Sequence, residues 1–270
     1  MLNNYVNKIS IYGLMNKFCF ICDNIWGFWK TKSHTKLVSL DENIEGSPDK
    51  VSCMYLEEVK FNTEYWKERG YEMSRVMSEP EIYSAIKEDT VNPTRKSNAE
   101  LYETIKHYAL MKNFSVELWK AEDTNDIMHM IEQWAKTSGK KYGFMRHEGI
   151  DKALFLRLQK GEIDTNKLLI FVFKLGSEVV GYSVIENQPT DGEIVYLIRK
   201  CVRTSESGVN LRNLCLYIDW YTFKKVHDNC GDYIVNWGCS GGGVRQYKIS
   251  KWPLYKEKPL YFYGLKKNNH

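Results

Sequence analysis

Between Lys167 and Arg203 the chain passes through three runs rich in β-branched and aromatic residues: Lys167 to Leu175, Glu178 to Asn187 and Glu193 to Arg203. Gly176-Ser177 separates the first two, and Pro189-Thr190-Asp191-Gly192 separates the second pair. Short Gly-Ser and Asp-Gly connections between such runs predict hairpins, so the segment reads as a three-stranded antiparallel meander. Leu169, Phe171 and Phe173 do not alternate with polar residues, because Ile170 and Val172 stand between them. That pattern predicts a central strand covered on both faces.

Helical and strand periods flank the meander. Ser115 to Ala121 alternates as a strand, and Asp123 or Thr124 then caps a helix. The apolar face of that helix is Ile127, Met130, Ile131, Trp134 and Ala135, and Gly139 ends it. A second helix covers Asp151 to Lys160, closed by Gly161. After the meander, Asn210 to Val226 shows helical spacing, Tyr233 to Asn236 reads as a strand, a glycine-rich stretch follows, and Leu260 to Leu265 forms a closing strand.

The first half is less regular. Lys17 to Ile25, Ile25 to Trp29, Lys36 to Leu40 and Val51 to Leu56 read as strands. Phe61 to Gly70 and Glu79 to Lys87 read as helices, the second with Pro80 in its first turn. Lys87 to Ser97 is a candidate linker or exposed loop, and Asn98 to Met111 is a helix through Leu101, Ile105, Tyr108 and Ala109.

Composition narrows the class only a little. Of 270 residues, 43% are hydrophobic and 27% charged, which suits a chain able to bury a real core. The net charge of +4 permits an anionic partner without requiring one. No run of 18 apolar residues is present, so no membrane span is expected. Seven scattered cysteines, an odd number, fit a reducing cytoplasm. Cys19 and Cys22 form a lone pair at finger-like spacing, and the six histidines share no ligand spacing, so no metal site is expected.

The order strand, helix, helix, three strands, helix, strand, loop, strand over residues 114 to 267 resembles the GNAT superfamily of N-acyltransferases. The stretch Asn236-Trp237-Gly238-Cys239-Ser240-Gly241-Gly242-Gly243-Val244-Arg245-Gln246-Tyr247-Lys248 looks like the glycine-containing strand end and Phe-Lys pair of its amino-acid-transferring branch. That branch comprises the Fem-type peptidoglycan aminoacyltransferases and the C-terminal domain of lysyl-phosphatidylglycerol synthases. The resemblance implies an α/β (α+β) fold with a GNAT-like mixed sheet and helices on both faces. It also implies two lobes, a degenerate one over 1–95 and an acyltransferase domain over 96–270. The donor would be acyl-CoA or an aminoacyl-tRNA, and the acceptor an amine. One departure stands out. In place of Arg/Gln-x-x-Gly-x-Gly/Ala the chain has Arg203-Thr204-Ser205-Glu206-Ser207-Gly208-Val209-Asn210, with one glycine and an added carboxylate.

Candidate chemistry follows from these segments. A strand, a small-residue loop and a helix start make an anion cradle, so Arg203, Ser205, Ser207, Gly208, Asn210 and Arg212 are candidate donor-binding residues; a plain capped turn is the alternative. Asn236, Gly241, Gly242, Gly243, Arg245 and Tyr247 are candidate substrate-binding residues, because adjacent glycines let backbone approach a ligand. Their alternative is a flexible hairpin followed by a solvated basic strand. Acyl transfer to an amine needs a base and an oxyanion partner. Glu186 and Glu193 are candidate bases, Lys248 an exposed cation for the oxyanion, and Tyr217 a proton donor to the leaving group or else a core ring. Asp219 reads as a further base or a surface charge. Two other functions stay open: a transferase acting on a nucleic-acid base, from the basic, aromatic runs Trp26 to Lys36 and Tyr247 to Lys258, and a non-catalytic binding module.

Overall fold

The computed structural model describes residues 35–37, 50–55, 67–68, 70–139, 147–161, 163, 165–187, 189, 192–239 and 242–267. The strands are β1 (Thr35–Leu37), β2 (Lys50–Tyr55), β3 (Tyr71–Ile86), β4 (Phe114–Leu118), β5 (Leu168–Leu175), β6 (Glu178–Glu186), β7 (Glu193–Cys201), β8 (Tyr233–Cys239) and β9 (Leu254–Lys267). The helices are α1 (Glu88–Val91), α2 (Ala99–Leu110), α3 (Thr124–Trp134), α4 (His147–Gln159), α5 (Leu214–Cys230) and α6 (Gly242–Lys251). Among the described residues the strands form one mixed sheet in the order β1-β2-β9-β3-β8-β7-β6-β5-β4.

The meander is as expected. β5 pairs antiparallel with β6 and β6 with β7, and β4 continues the ladder on β5. Gly176 takes φ +63° in the first turn, a conformation open to glycine at no steric cost. β7 then pairs in parallel with β8, and α5 crosses between them. This is a GNAT-like α/β fold.

Helices cover both faces, and alternate residues of β6 and β7 show which helix lies where. Tyr182 and Lys200 reach Asp151 of α4, whereas Ser183 and Arg199 reach Thr222 and Asp219 of α5. Helix α5 lies close on the sheet because position 181 is glycine. A Cβ there would stand 2.7 Å from Ile218 Cδ1. Two apolar clusters result: one holds Phe155 and Tyr182 on the α4 face together with Phe173, Tyr217 and Ile218 on the α5 face, the other gathers around Ile86, Phe223 and Trp237. Each fully buried large side chain contributes roughly 1.5–3 kcal/mol relative to exposure.

Four expectations are corrected. Glu79 to Lys87 is not a helix but the end of the 16-residue strand β3. There β3 is an interior strand between β8 and β9, and Ile82, Tyr83, Ser84 and Ile86 are all buried; burial on both faces erases the period of two. Pro80 sits opposite Pro259, so two residues lacking N–H groups face each other in the ladder. Lys87 to Ser97 is only partly the exposed loop expected: residues 92–97 are, but the segment opens with α1, whose Val91 is buried with its carbonyl accepting the Trp220 indole N–H at 2.8 Å. The helix expected from Asn210 starts at Leu214, because Thr204 bridges Asn210 and the intervening residues close on themselves. The glycine run leads into helix α6, not a hairpin or basic strand; beyond Gly243, no breaker stands before Pro253. The readings for Lys17 to Trp29 and most of Phe61 to Gly70 lie outside the described residues, as do Cys19, Cys22 and Gly241.

Candidate active site

Parallel strands β7 and β8 stay together for only three pairs, Glu193 with Ile234, Ile194 with Val235 and Val195 with Asn236. Beyond them the two diverge. The register of β7 on β6 slips at the same level: Ile185 faces Tyr196 but Val184 faces Ile198, so Leu197 is an extra residue. Bulges of this kind concentrate beside functional sites and re-aim side chains.

Glu186 stands at the vertex of this divergence. The Val195 N–H donates to its Oε2 at 2.7 Å, and burial pushes its carboxyl up to about 7. Glu193, the other candidate base, is ion-paired to Lys256 at 2.5 Å. Asn236 is buried, donates through Nδ2 to Glu81 Oε1 at 2.8 Å and accepts the Gly238 N–H at 2.7 Å. Glu81 also accepts the Tyr83 hydroxyl.

Further along β7 a buried polar network ties that strand to α5 and α6. Asp219 is 0% exposed, and it accepts the Tyr196 hydroxyl at 2.9 Å on Oδ1. On Oδ2 it accepts Arg199 Nη1 at 3.0 Å and the Tyr247 hydroxyl at 2.8 Å. Arg199 also donates to the Cys215 carbonyl at 3.1 Å and lies 4.9 Å from the centre of the Tyr247 ring. Burial raises the Asp219 carboxyl, while Arg199 draws it back down. Asp219 is therefore no surface charge. Tyr247, a candidate substrate-binding residue, is fixed by this network from α6. Sequence reasoning did not single out Arg199 or Tyr196; a lone arginine at the end of the apolar run Val195 to Ile198 is the one signal.

Lys248 is 8% exposed and donates to the Trp237 carbonyl at 2.8 Å, which corrects the expectation of an exposed cation. Tyr217 sits in a stack with Tyr108, Phe114 and Phe173, and burial pushes its hydroxyl up to about 12. It is a core ring. Arg245 holds both oxygens of Glu257, at 2.8 and 3.0 Å, and Lys251 is paired with Glu100. Between Tyr247 and Lys258, then, Lys248, Lys251 and Lys256 each have a partner within the protein. Gly242 and Gly243 form the first turn of α6.

The loop after β7 uses its own hydrogen-bonding groups. Gly208 N–H donates to the Ser205 carbonyl, Val209 N–H to Ser205 Oγ, and Ser205 N–H to the Val209 carbonyl, at 2.9, 2.9 and 3.0 Å. Ser207 Oγ lies 2.9 Å from Ser205 Oγ. Glu206 turns away from the site: its N–H donates to Glu178 and its carboxylate lies 2.6 Å from His129 Nε2. The expected N–H cradle at Gly208 is thus occupied. Exposed Arg203 and Arg212 both precede the start of α5, whose N-cap Asn213 is left-handed at φ 57° and gives no side-chain cap. Asn210 closes the loop against Thr204. Among the described residues no three His, Cys, Asp or Glu side chains gather as a metal site, and no helix is long and apolar enough to cross a membrane.

No protein-family model and no curated protein matches this sequence. Solved structures do. A conserved protein of unknown function from Bacteroides thetaiotaomicron superposes with a TM-score of 0.53 at 11% identity, over 80% of this chain and 70% of that one. L-PGS from Bacillus licheniformis gives 0.48 at 14% identity over 82% and 68%. A GCN5-related N-acetyltransferase from Kribbella flavida gives 0.43 at 8% identity over 82% and 69%. The first likeness speaks to the fold; the other two are likenesses only.

Proposed function

We propose that this protein transfers an acyl or aminoacyl group from an elongated activated donor, an acyl-CoA or an aminoacyl-tRNA end, to an amine. The observation that carries this reading is the opening between β7 and β8 with Glu186 at its vertex. From Val195 to Cys201 the strand spans about 20 Å at roughly 3.3 Å per residue. An extended donor lying there would set its anionic end against Arg203, Arg212 and the start of α5, where the positive end of the helix dipole favours anions. Its reactive end would lie toward Glu186. A carboxyl titrating near 7 is suited to take a proton from an ammonium acceptor at neutral pH, since a base works best near the operating pH.

A second reading has its own support. The closed loop Ser205 to Val209 leaves fewer N–H groups for a donor than the sequence suggested, which favours a binding module that kept the fold. Thermal unfolding with CoA, acetyl-CoA, aminoacyl-adenylate analogues and oligonucleotides separates the readings. A true donor at a hundredfold over its Kd adds about 2.7 kcal/mol. Arg212→Glu should abolish that gain without changing the melting temperature of the free protein. No stabilisation by any thioester or aminoacyl analogue would sink the transferase reading.

A further inference from the structure

A separate cleft of about 360 Å³ opens where α1 and the loop after it meet the end of α6. Its walls are pre-formed. Thr94 and Ser97 exchange backbone and hydroxyl hydrogen bonds at 2.9 to 3.1 Å, and the Ala85 N–H ties down the Pro253 carbonyl at 3.1 Å. The floor is Leu101 and Trp252, each 2% exposed. The Trp252 indole N–H is buried without a hydrogen-bond partner, an uncommon state for a buried donor and one that calls for an explanation.

The lining selects a ligand class by charge and shape. Trp252 shows no open ring face, so a sugar or base has nothing to stack on. Asp89 stands on the rim and Lys251 is already shared with Glu100, so a multiply charged phosphate meets repulsion and only part of one cation. What remains is one carboxylate, on α1, and donors from two other elements, the start of α2 and the end of α6. Those donors are Lys251 and the amide NH2 of Asn98, whose Oδ1 caps the Leu101 N–H at 3.0 Å; the Ser97 and Ser250 hydroxyls already donate to the Thr94 and Tyr247 carbonyls. Pro93 and Pro253 supply apolar edges. The volume lies at the small end of ligand pockets.

We infer that this cleft binds a free α-amino acid, with the ammonium on Asp89 and the carboxylate on Asn98 and Lys251. The inference does not depend on the transferase reading. Isothermal titration of the full chain with each common free amino acid, to about 10 mM, tests it. At least one should bind with a Kd below about 1 mM. Its N-acetyl and methyl ester derivatives, each lacking one charge, should bind about tenfold or more weakly, the scale of a lost charged hydrogen bond. Asp89→Asn should weaken binding about as much, and Ser250→Trp, which fills the cleft from an exposed position, should remove it with the melting temperature unchanged. The inference is overturned if no amino acid binds, if the blocked derivatives bind equally well, if binding survives Ser250→Trp, or if inorganic phosphate displaces the amino acid.

Discussion

Glu186 is visible in the sequence only as a carboxylate at a strand end, yet its surroundings give it a distinct behaviour. Burial raises its folded-state value to about 7, above the unfolded one. Its contribution to stability is therefore fully present below about pH 4.3 and is lost as pH rises through about 7. Glu186→Gln should leave the melting temperature little changed near pH 4 and raise it relative to the parent at pH 8. In a transfer assay the parent rate should climb through about pH 7, and the variant should lose that limb. Asp219 makes the complementary case. Removing it strands Arg199 without its buried carboxylate partner, so Asp219→Ala should cost about 3–5 kcal/mol in urea unfolding. The double variant Asp219→Leu with Arg199→Met should recover much of that loss, and failure to recover would show that the network does more than balance charge.

Strand and helix types were legible wherever local period and burial agreed. The meander, α3 and α5 were readable because each has one covered face or a plain two-sided apolar run. The misreading of Glu79 to Lys87 as a helix has a different origin: strands distant in sequence pair with both edges of that span and its two faces are buried, and no local signal carries that. The same holds for Arg199 and Asp219, whose pairing is set by the register of β7 under α5. Gly181 shows how narrow that fit is. A side chain there meets Ile218 at 2.7 Å and the Cys201 Cβ at 3.0 Å, so Gly181→Val should destabilise by about 1–3 kcal/mol through overpacking. Chemical denaturation measures this; a neutral result would mean that α5 can shift without cost.

For the molecule as a whole, the sequence order predicted a mixed GNAT-like sheet, and nine strands in one such sheet are present among the described residues. What order could not show is that β3 enters between two later strands. Ile86 pairs with Tyr233, and Tyr71 with Lys267. During synthesis β3 must therefore wait for partners that emerge much later. At roughly 5–20 residues per second the delay before β8 appears is on the order of ten seconds. Both edges of a long strand are open through that interval, a state that invites pairing with another chain. β3 carries Glu72, Arg75, Glu79, Pro80 and Glu81 along its length. Charges and a proline on a waiting strand discourage such contacts, so these residues guard the nascent chain before they serve the finished sheet.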